Sequence, residues 1–203
     1  MTLEITHYTD FKSPYAYLAL EATLQLALDF DVTIDFLPYT LDIPSYLGDV
    51  ENRDAHRWRK VKYAYMDCRR QANKRGLTLR GPKKIYDSRE IDTALLYVKE
   101  RADEPDSLRA FAGLVFERFF THTIDVEDRA QVEQAIQDAG IDPGGFDAFL
   151  DGSGGAAHDR IRAEAESMGV FGVPTYLIEG ELFWGGEKIP EIRDRLTVMG
   201  LAK

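Results

Sequence analysis

The stretch DFKSPYAY, residues 10–17, joins the first predicted strand of the chain to its first predicted helix. Before it, apolar and polar residues alternate over residues 3–8, which predicts a short strand. Within it, Ser13 and Pro14 are typical of a helix start, because serine caps free N–H groups and proline fits the first helical position. The apolar pattern predicts that this helix continues to about residue 29.

A second strand and a helical segment follow. Alternation over residues 32–36 predicts the strand, and a β-α-β unit of this length implies a right-handed crossover and a parallel strand pair. No convincing strand is found between about residues 41 and 152. That segment instead predicts a series of helices, at about 53–75, 88–104, 106–121, 130–139 and 146–150.

Strand character returns near the end of the chain. The pattern predicts a helix over 156–168, two strands over 176–178 and 182–184, and a last helix over 190–199. The order β-α-β, helical insertion, α-β-β-α is that of a thioredoxin-like α/β fold. We therefore predict a thioredoxin-like domain built from residues 1–40 plus 153–203, with residues 41–152 inserted as an all-helical subdomain.

Composition narrows the function classes. The 203 residues carry 35 acidic and 25 basic side chains, a formal net charge of -10, which argues against binding to nucleic acid or to an anionic membrane surface. The sequence contains no apolar run long enough to span a membrane. Its first residues do not resemble a signal peptide, so we expect a cytoplasmic protein. The four histidines lack ligand spacing, so we expect no metal site. Basic residues 60, 62, 69 and 70 predict a solvated, salt-bridged helix face.

Cysteine content bears directly on the chemistry. Cys68 is the only cysteine, so the chain has no internal disulfide and no CxxC redox pair. Ser13 stands where the first redox cysteine of a thioredoxin-like protein would stand, and Ala16 stands where the second would. Thiol–disulfide exchange by this chain alone is therefore excluded. We expect Cys68 to be a buried small hydrophobe and Trp184 to be a core residue of the sheet.

Ser13 allows two readings. It is a plain helix N-cap in one of them. In the other, its hydroxyl also donates to the thiolate of a bound small thiol, because a helix N-terminus stabilises an anion.

A second motif, GVPT at residues 172–175, lies at the entry to the third strand. In a thioredoxin-like fold the Val173–Pro174 bond is expected to be cis and to face the start of the first helix. The backbone of Val173 would then be free to pair with an extended peptide.

These motifs resemble a known family. DFxSPYxYL near the start, FGVPT at 171–175, FWGGEKI at 183–189 and the KxxYxxxDxxR pattern from Lys60 to Arg70 are similar to those of the 2-hydroxychromene-2-carboxylate isomerases. That family is grouped with the kappa-class glutathione transferases in the DsbA-like thioredoxin superfamily. The resemblance spans nearly the whole chain.

The resemblance implies a glutathione-dependent isomerase that acts on a small aromatic substrate. Ser13 would activate the glutathione thiol, or that of another small thiol, and Val173 with Pro174 would bind its cysteinyl backbone. The γ-glutamyl end would meet Gly186, Glu187 and Lys188, and the substrate would be lined by Tyr15, Asn52, Arg53, Lys60 and Tyr86. The basic residue that the isomerases carry after the second strand is absent from residues 41–44.

Two alternative functions stay open at this point. A kappa-type glutathione transferase would use the same serine motif but would consume the thiol. A non-catalytic module would bind peptides through the Val173 backbone. Kappa-type relatives are often dimers, and the apolar helical segment is compatible with a homodimer.

Overall fold

The fold is described from a computed structural model that covers residues 2–48, 53–102 and 105–203. Its centre is a four-stranded sheet in the order β2-β1-β3-β4. Strand β1 (Leu3–Thr9) runs parallel to β2 (Val32–Pro38) and antiparallel to β3 (Thr175–Ile178), which in turn pairs antiparallel with β4 (Glu181–Trp184). The predicted parallel pair and the two later strands are confirmed.

Two helices cover one face of the sheet. Helix α1 (Pro14–Asp29) connects β1 to β2, and α9 (Ile189–Val198) follows β4. Together with the sheet they bury one apolar cluster, whose fully buried members include Ile5, Leu26, Ile178 and Ile192. A helix that packs one apolar face on a sheet is stabilised mainly by that burial, at about 25 cal/mol per Å².

Among the described residues, seven further α-helices follow β2 before the chain returns to the sheet: α2 (Ile43–Leu47), α3 (Ala55–Lys74), α4 (Arg89–Arg101), α5 (Pro105–Thr121), α6 (Arg129–Asp138), α7 (Phe146–Phe149) and α8 (Gly155–Ser167). Residues 91–98 of α4 are all buried, so α4 runs through the interior rather than over the surface. It packs against β2, α5, α6, α7 and α8. Buried aromatic rings pack in this interior, including Tyr97 of α4 itself, Phe111 of α5 and Phe146 of α7.

Three features differ from the sequence predictions. Helix α2, which is five residues long, was not predicted. Trp184 is 45% exposed and is not a core residue, because neighbouring side chains of β4 point to opposite faces and Phe183 is the one in the cluster under α1 and α9. The basic face of α3 is solvated as predicted, but Arg70 with Asp67, at 4.0 Å, is the one ion pair within α3 in the described part of the chain. The salt-bridged part of that prediction is therefore confirmed, within the described ranges, for Arg70 alone among the four basic residues.

No helix within the described ranges has both the length and the apolar character needed to cross a membrane. Among the same residues, no group of three or more His, Cys, Asp or Glu side chains is placed to hold a metal ion.

Candidate active site

The start of α1 is built by a tight turn and a capping serine. The N–H of Ser13 donates to the carbonyl of Asp10 at 3.0 Å, which closes the turn. The hydroxyl of Ser13 then accepts from the N–H of Ala16 at 3.2 Å, and Pro14 occupies the first turn of the helix. The predicted N-cap is confirmed. It satisfies one of the free N–H groups at the positive end of the helix dipole.

The same hydroxyl also contacts the loop before β3. The Val173–Pro174 peptide bond is cis, as predicted, and Ser13 Oγ donates to the Val173 carbonyl at 3.4 Å. This distance exceeds the usual range of an O–H···O bond, so the contact is weak. The Val173 carbonyl is therefore not free, which corrects the prediction for that group. Its N–H makes no hydrogen bond within the described residues.

Tyr15 and Cys68 lie together beside the helix start. Tyr15 is 42% exposed, whereas Tyr17 points into the core and stacks on Phe116 and Phe120. Burial and the neighbouring Cys68 raise the pKa of Tyr15 to about 12. Burial raises the pKa of the fully buried Cys68 to about 11, and a hydrogen bond from Tyr15 partly offsets this. Both groups are neutral at pH 7, and the predicted burial of Cys68 is confirmed.

Two side chains from the region of α3 lie near this pair. Tyr65 lies on the α3 face that holds Cys68. Burial, and after it the neighbouring Cys68, raise the pKa of Tyr65. The positive charge of the Arg53 guanidinium partly offsets this rise. Arg53 Nε donates to the Gly48 carbonyl at 3.0 Å, and its guanidinium lies 5.3 Å from the centre of the Trp58 ring. Tyr65 was missed by the sequence analysis. Its position three residues before Cys68 on one helix face was the available signal.

The segment after β4 also packs on α1. Residues Gly186–Lys188 form a single 3-10 turn, and a Cβ at Gly186 would lie 2.9 Å from Ala19 of α1. The exposed Glu187 contributes to the raised pKa of Tyr15, which places it on the same side of the molecule. Lys188 instead pairs with Glu191 of α9 at 2.9 Å. Gly186 thus lies against the second turn of α1, while Lys188 is engaged with α9.

Two further predicted substrate residues that the structure describes, Lys60 and Tyr86, make no hydrogen bond to Ser13. Tyr86 lies on the wall of a cavity of about 260 Å³ whose lining includes Phe119 and His122 but neither Ser13 nor Val173. Lys60 is exposed on α3, and no ion pair of it is found among the described residues. Asn52 lies outside the described residues. The binding roles predicted for these three residues stay predictions.

An exposed aromatic pair flanks the loop before β3. Phe171 and Trp184 are 59% and 45% exposed, and their ring centres are 4.8 Å apart. A Cβ at Gly172 would lie 2.8 Å from Trp184 Nε1, so only glycine allows the indole to lie this close to the loop. The sequence analysis assigned Trp184 to the core and therefore missed this surface next to Val173.

A cluster of buried polar side chains lies beneath the turn, and we call it the polar cluster. Its members come from four separate parts of the chain, and all are buried: Asp10, Lys12, Thr40, Ser88, Asp92 and His158. Ser88 occupies the N-cap position of α4, but its hydroxyl makes no capping bond. It contacts Asp10 Oδ1 at 2.7 Å and Asp92 Oδ2 at 2.9 Å instead.

The polar cluster holds the backbone of the turn and of the neighbouring loop. Asp92 Oδ1 accepts from the N–H of Phe11 at 3.1 Å. Asp10 Oδ1 accepts from the N–H of Lys12 at 2.9 Å, and Asp10 Oδ2 accepts from the N–H of Leu41 at 2.7 Å. Buried N–H groups need such partners, so the two carboxylates fix the path of the chain that leads to Ser13.

Comparison with known proteins agrees with this geometry. A sequence model of the family described as "DSBA-like thioredoxin domain" matches residues 4–197. The chain belongs to this family. Both the predicted thioredoxin-like fold with a helical insertion and the predicted superfamily are thereby confirmed.

Among curated relatives, 2-hydroxychromene-2-carboxylate isomerase of Sphingobium xenophagum is 28% identical over 193 residues, which cover 93% of this chain and 95% of that protein. The protein of the same name from Pseudomonas putida is 29% identical over 193 residues, or 91% of this chain and 90% of the relative. The resemblance drawn from the motifs is confirmed by these matches.

Solved structures confirm the architecture of this DSBA-like chain. A structure of 2-hydroxychromene-2-carboxylate isomerase superposes with a TM-score of 0.79 at 24% identity, covering 97% of this chain and 96% of the other. The cytosolic disulfide reductase DsbM from Pseudomonas aeruginosa superposes with a TM-score of 0.67 at 15% identity, covering 98% and 97%. At these identities the likeness concerns the fold.

Proposed function

We propose that this protein is a glutathione-dependent isomerase that acts on a small conjugated aromatic substrate such as 2-hydroxychromene-2-carboxylate. The observation that carries the proposal is the hydroxyl of Ser13, placed at the N-terminus of α1 and turned toward the Val173 carbonyl next to cis Pro174. Isomerases of that name are relatives over more than nine-tenths of the chain.

The residues around Ser13 fit a small thiol peptide. The N–H of Val173 has no partner within the described residues and is available to a peptide carbonyl. The Ser13 hydroxyl has only a long contact to give up, so it can turn to an incoming thiolate. Gly186 lies against the second turn of α1 and Glu187 is exposed next to it in the chain, and these two residues would receive the amino-terminal end of the peptide.

Glutathione, when bound, supplies a thiolate that adds reversibly to a conjugated double bond. That bond is single in the adduct, so it can rotate before the thiol is eliminated. Ser13 would stabilise the thiolate by a charge-assisted hydrogen bond, and the start of α1 would add its partial positive charge. The ring of the half-exposed, neutral Tyr15 would border the site. The exposed rings of Phe171 and Trp184 would provide an apolar surface for an aromatic substrate.

The test follows 2-hydroxychromene-2-carboxylate with purified protein, with and without glutathione. We expect interconversion that requires glutathione and leaves its concentration unchanged. Formation of a stable glutathione conjugate would identify the kappa-type transferase instead. If glutathione neither supports turnover nor raises the melting temperature, as any ligand of the native state must, the proposal is wrong.

A further inference from the structure

We propose that Asp92 is a positioning residue that holds the Ser13 turn as a neutral carboxylic acid and shares its proton with Asp10 through Ser88. Of the two carboxyl groups, only that of Asp10 then carries a negative charge, and the ammonium of Lys12 balances this charge. The proposal rests on the proposed function in one respect, which is the bound thiol whose titration reports this charge.

The count of protons supports a protonated acid. Ser88 Oγ lies 2.7 Å from Asp10 Oδ1 and 2.9 Å from Asp92 Oδ2, and both distances are those of hydrogen bonds. A serine hydroxyl has one proton and can donate to only one of the two carboxylates. The second contact becomes a hydrogen bond when Asp92 Oδ2 carries a proton and donates to Ser88, which then donates to Asp10.

The surroundings decide which carboxylate keeps the proton. Asp10 accepts two backbone N–H bonds, and the Lys12 ammonium lies 3.3 Å from its Oδ2. Asp92 is 1% exposed, and its hydrogen-bond partners are Phe11, Thr40 and Ser88, none of which is charged. A cation and backbone donors stabilise the ionised form, and burial without a cation stabilises the neutral form. The proton therefore belongs on Asp92.

The hydrogen bonds that run from Arg89 through His158 and Thr40 are consistent with a proton on Asp92. Arg89 can only donate, so its contact of 3.2 Å with His158 Nδ1 leaves that nitrogen unprotonated and places the ring proton on Nε2. His158 Nε2 then donates to Thr40 Oγ1 at 2.8 Å, and Thr40 donates to Asp92 Oδ2 at 2.6 Å. As a hydroxyl oxygen, Oδ2 accepts this bond and still donates to Ser88.

The charged and titratable groups around Asp92 are few. Asp10 and Lys12 face it from the turn before α1, and His158 reaches it from α8 through Thr40. Arg89, paired with Asp159, stands behind His158. Burial and the charge of Asp10 raise the pKa of Asp92 well above its usual value. Burial and Arg89 lower the pKa of His158, which keeps the ring neutral.

This arrangement matters for the anion that would bind at Ser13. Asp10 lies three residues from Ser13 and closes its turn, so an uncompensated negative charge there would oppose a thiolate. With Asp92 neutral and Lys12 paired to Asp10, the turn is held by two carboxyl groups without net charge. The positive end of α1 then acts on the thiolate without an opposing field.

Infrared spectroscopy of the ligand-free protein at neutral pH tests the protonation directly. We expect the C=O stretch of a protonated carboxylic acid, shifted in D2O, absent from Asp92→Asn and retained in Glu100→Gln, an exposed carboxylate of the same helix. Absence of the band from the wild-type protein, or its persistence in folded Asp92→Asn, would overturn the proposal. If Asp92→Asn does not fold, Thr40→Val decides, because loss of its hydrogen bond must shift the band.

The titration of bound glutathione, followed by thiolate absorbance, separates a neutral Asp92 from an ionised one. Asp92→Asn removes no charge under the proposal, so the pKa of the bound thiol should not move, whereas Lys12→Met should raise it by about one unit. A lowered thiol pKa in Asp92→Asn would show that Asp92 is ionised and refute the proposal. If the wild-type protein binds no glutathione, the proposed function fails, and the infrared result still decides the state of Asp92.

Discussion

Replacing Ser13 by alanine separates the capping role of its hydroxyl from the proposed chemical role. Loss of the bond to the Ala16 N–H should lower the free energy of unfolding by about 0.5–2 kcal/mol. The Val173 contact, at 3.4 Å, adds little to this loss. A hydrogen bond to a charged thiolate is worth about 1.5–3 kcal/mol. Since each 1.36 kcal/mol is tenfold in rate, turnover should fall roughly ten- to a hundredfold.

The assay measures turnover at saturating glutathione together with the titration of the bound thiol by its thiolate absorbance. Ser13→Ala should raise the pKa of the bound thiol, because the ionised form loses a donor. Asp128→Ala is the matched control, since it removes the side-chain cap of α6, a bond of 3.1 Å to the Ala130 N–H, far along the chain from the site. It should cost similar stability and leave turnover and titration unchanged.

One result would refute the reasoning. If folded Ser13→Ala binds glutathione and the titration of its thiol equals that of the wild-type protein, then Ser13 is a helix cap and nothing more. The proposed isomerase would then need a different group to stabilise the thiolate.

Three further predictions concern buried groups. Cys68→Ala should leave activity within a few-fold, because the thiol is fully buried and its pKa is raised to about 11; a hundredfold loss in a folded variant would place the reactive centre at Cys68. Burial raises the pKa of Asp92 in the folded protein, so above about pH 4 the native state holds a proton that the unfolded chain releases. Wild-type stability should therefore fall as pH rises above about 4, and urea unfolding should show that Asp92→Asn gains stability relative to wild type over this range. Burial lowers the pKa of His7 from 6.5 to about 3, so wild-type stability should decline as pH falls from 6.5 toward 3, and His7→Phe should lack this decline; equal acid sensitivity of the two proteins would contradict the assignment.

Local patterns in the sequence were enough to predict the elements that carry the site. Alternation predicted β1 and β2, and the Ser13-Pro14 pair predicted the start of α1 at the observed residue. Helix α2 was missed because five residues with a proline give no periodicity. Trp184 was assigned wrongly because the sequence does not show which face of β4 the helices cover, and only Phe183 lies on the covered face.

Long-range polar contacts were beyond the reach of local patterns. Ser88 has the residue type and position of an N-cap, yet its hydroxyl bonds to Asp10, which is 78 residues away. The Phe11 N–H finds Asp92 across 81 residues. Pattern and propensity describe neighbours along the chain, so partners of this kind become visible only when the fold brings them together.

The buried course of α4 ties the two parts of the chain into one cooperative unit. A helix whose residues 91–98 are all buried has no stable existence in water by itself, and it needs the sheet as much as the neighbouring helices. Asp92 lies on this segment and holds the turn before α1. Unfolding of α4 therefore also removes the hydrogen bond that holds the turn. The geometry around Ser13 is thus maintained only while the whole molecule is folded.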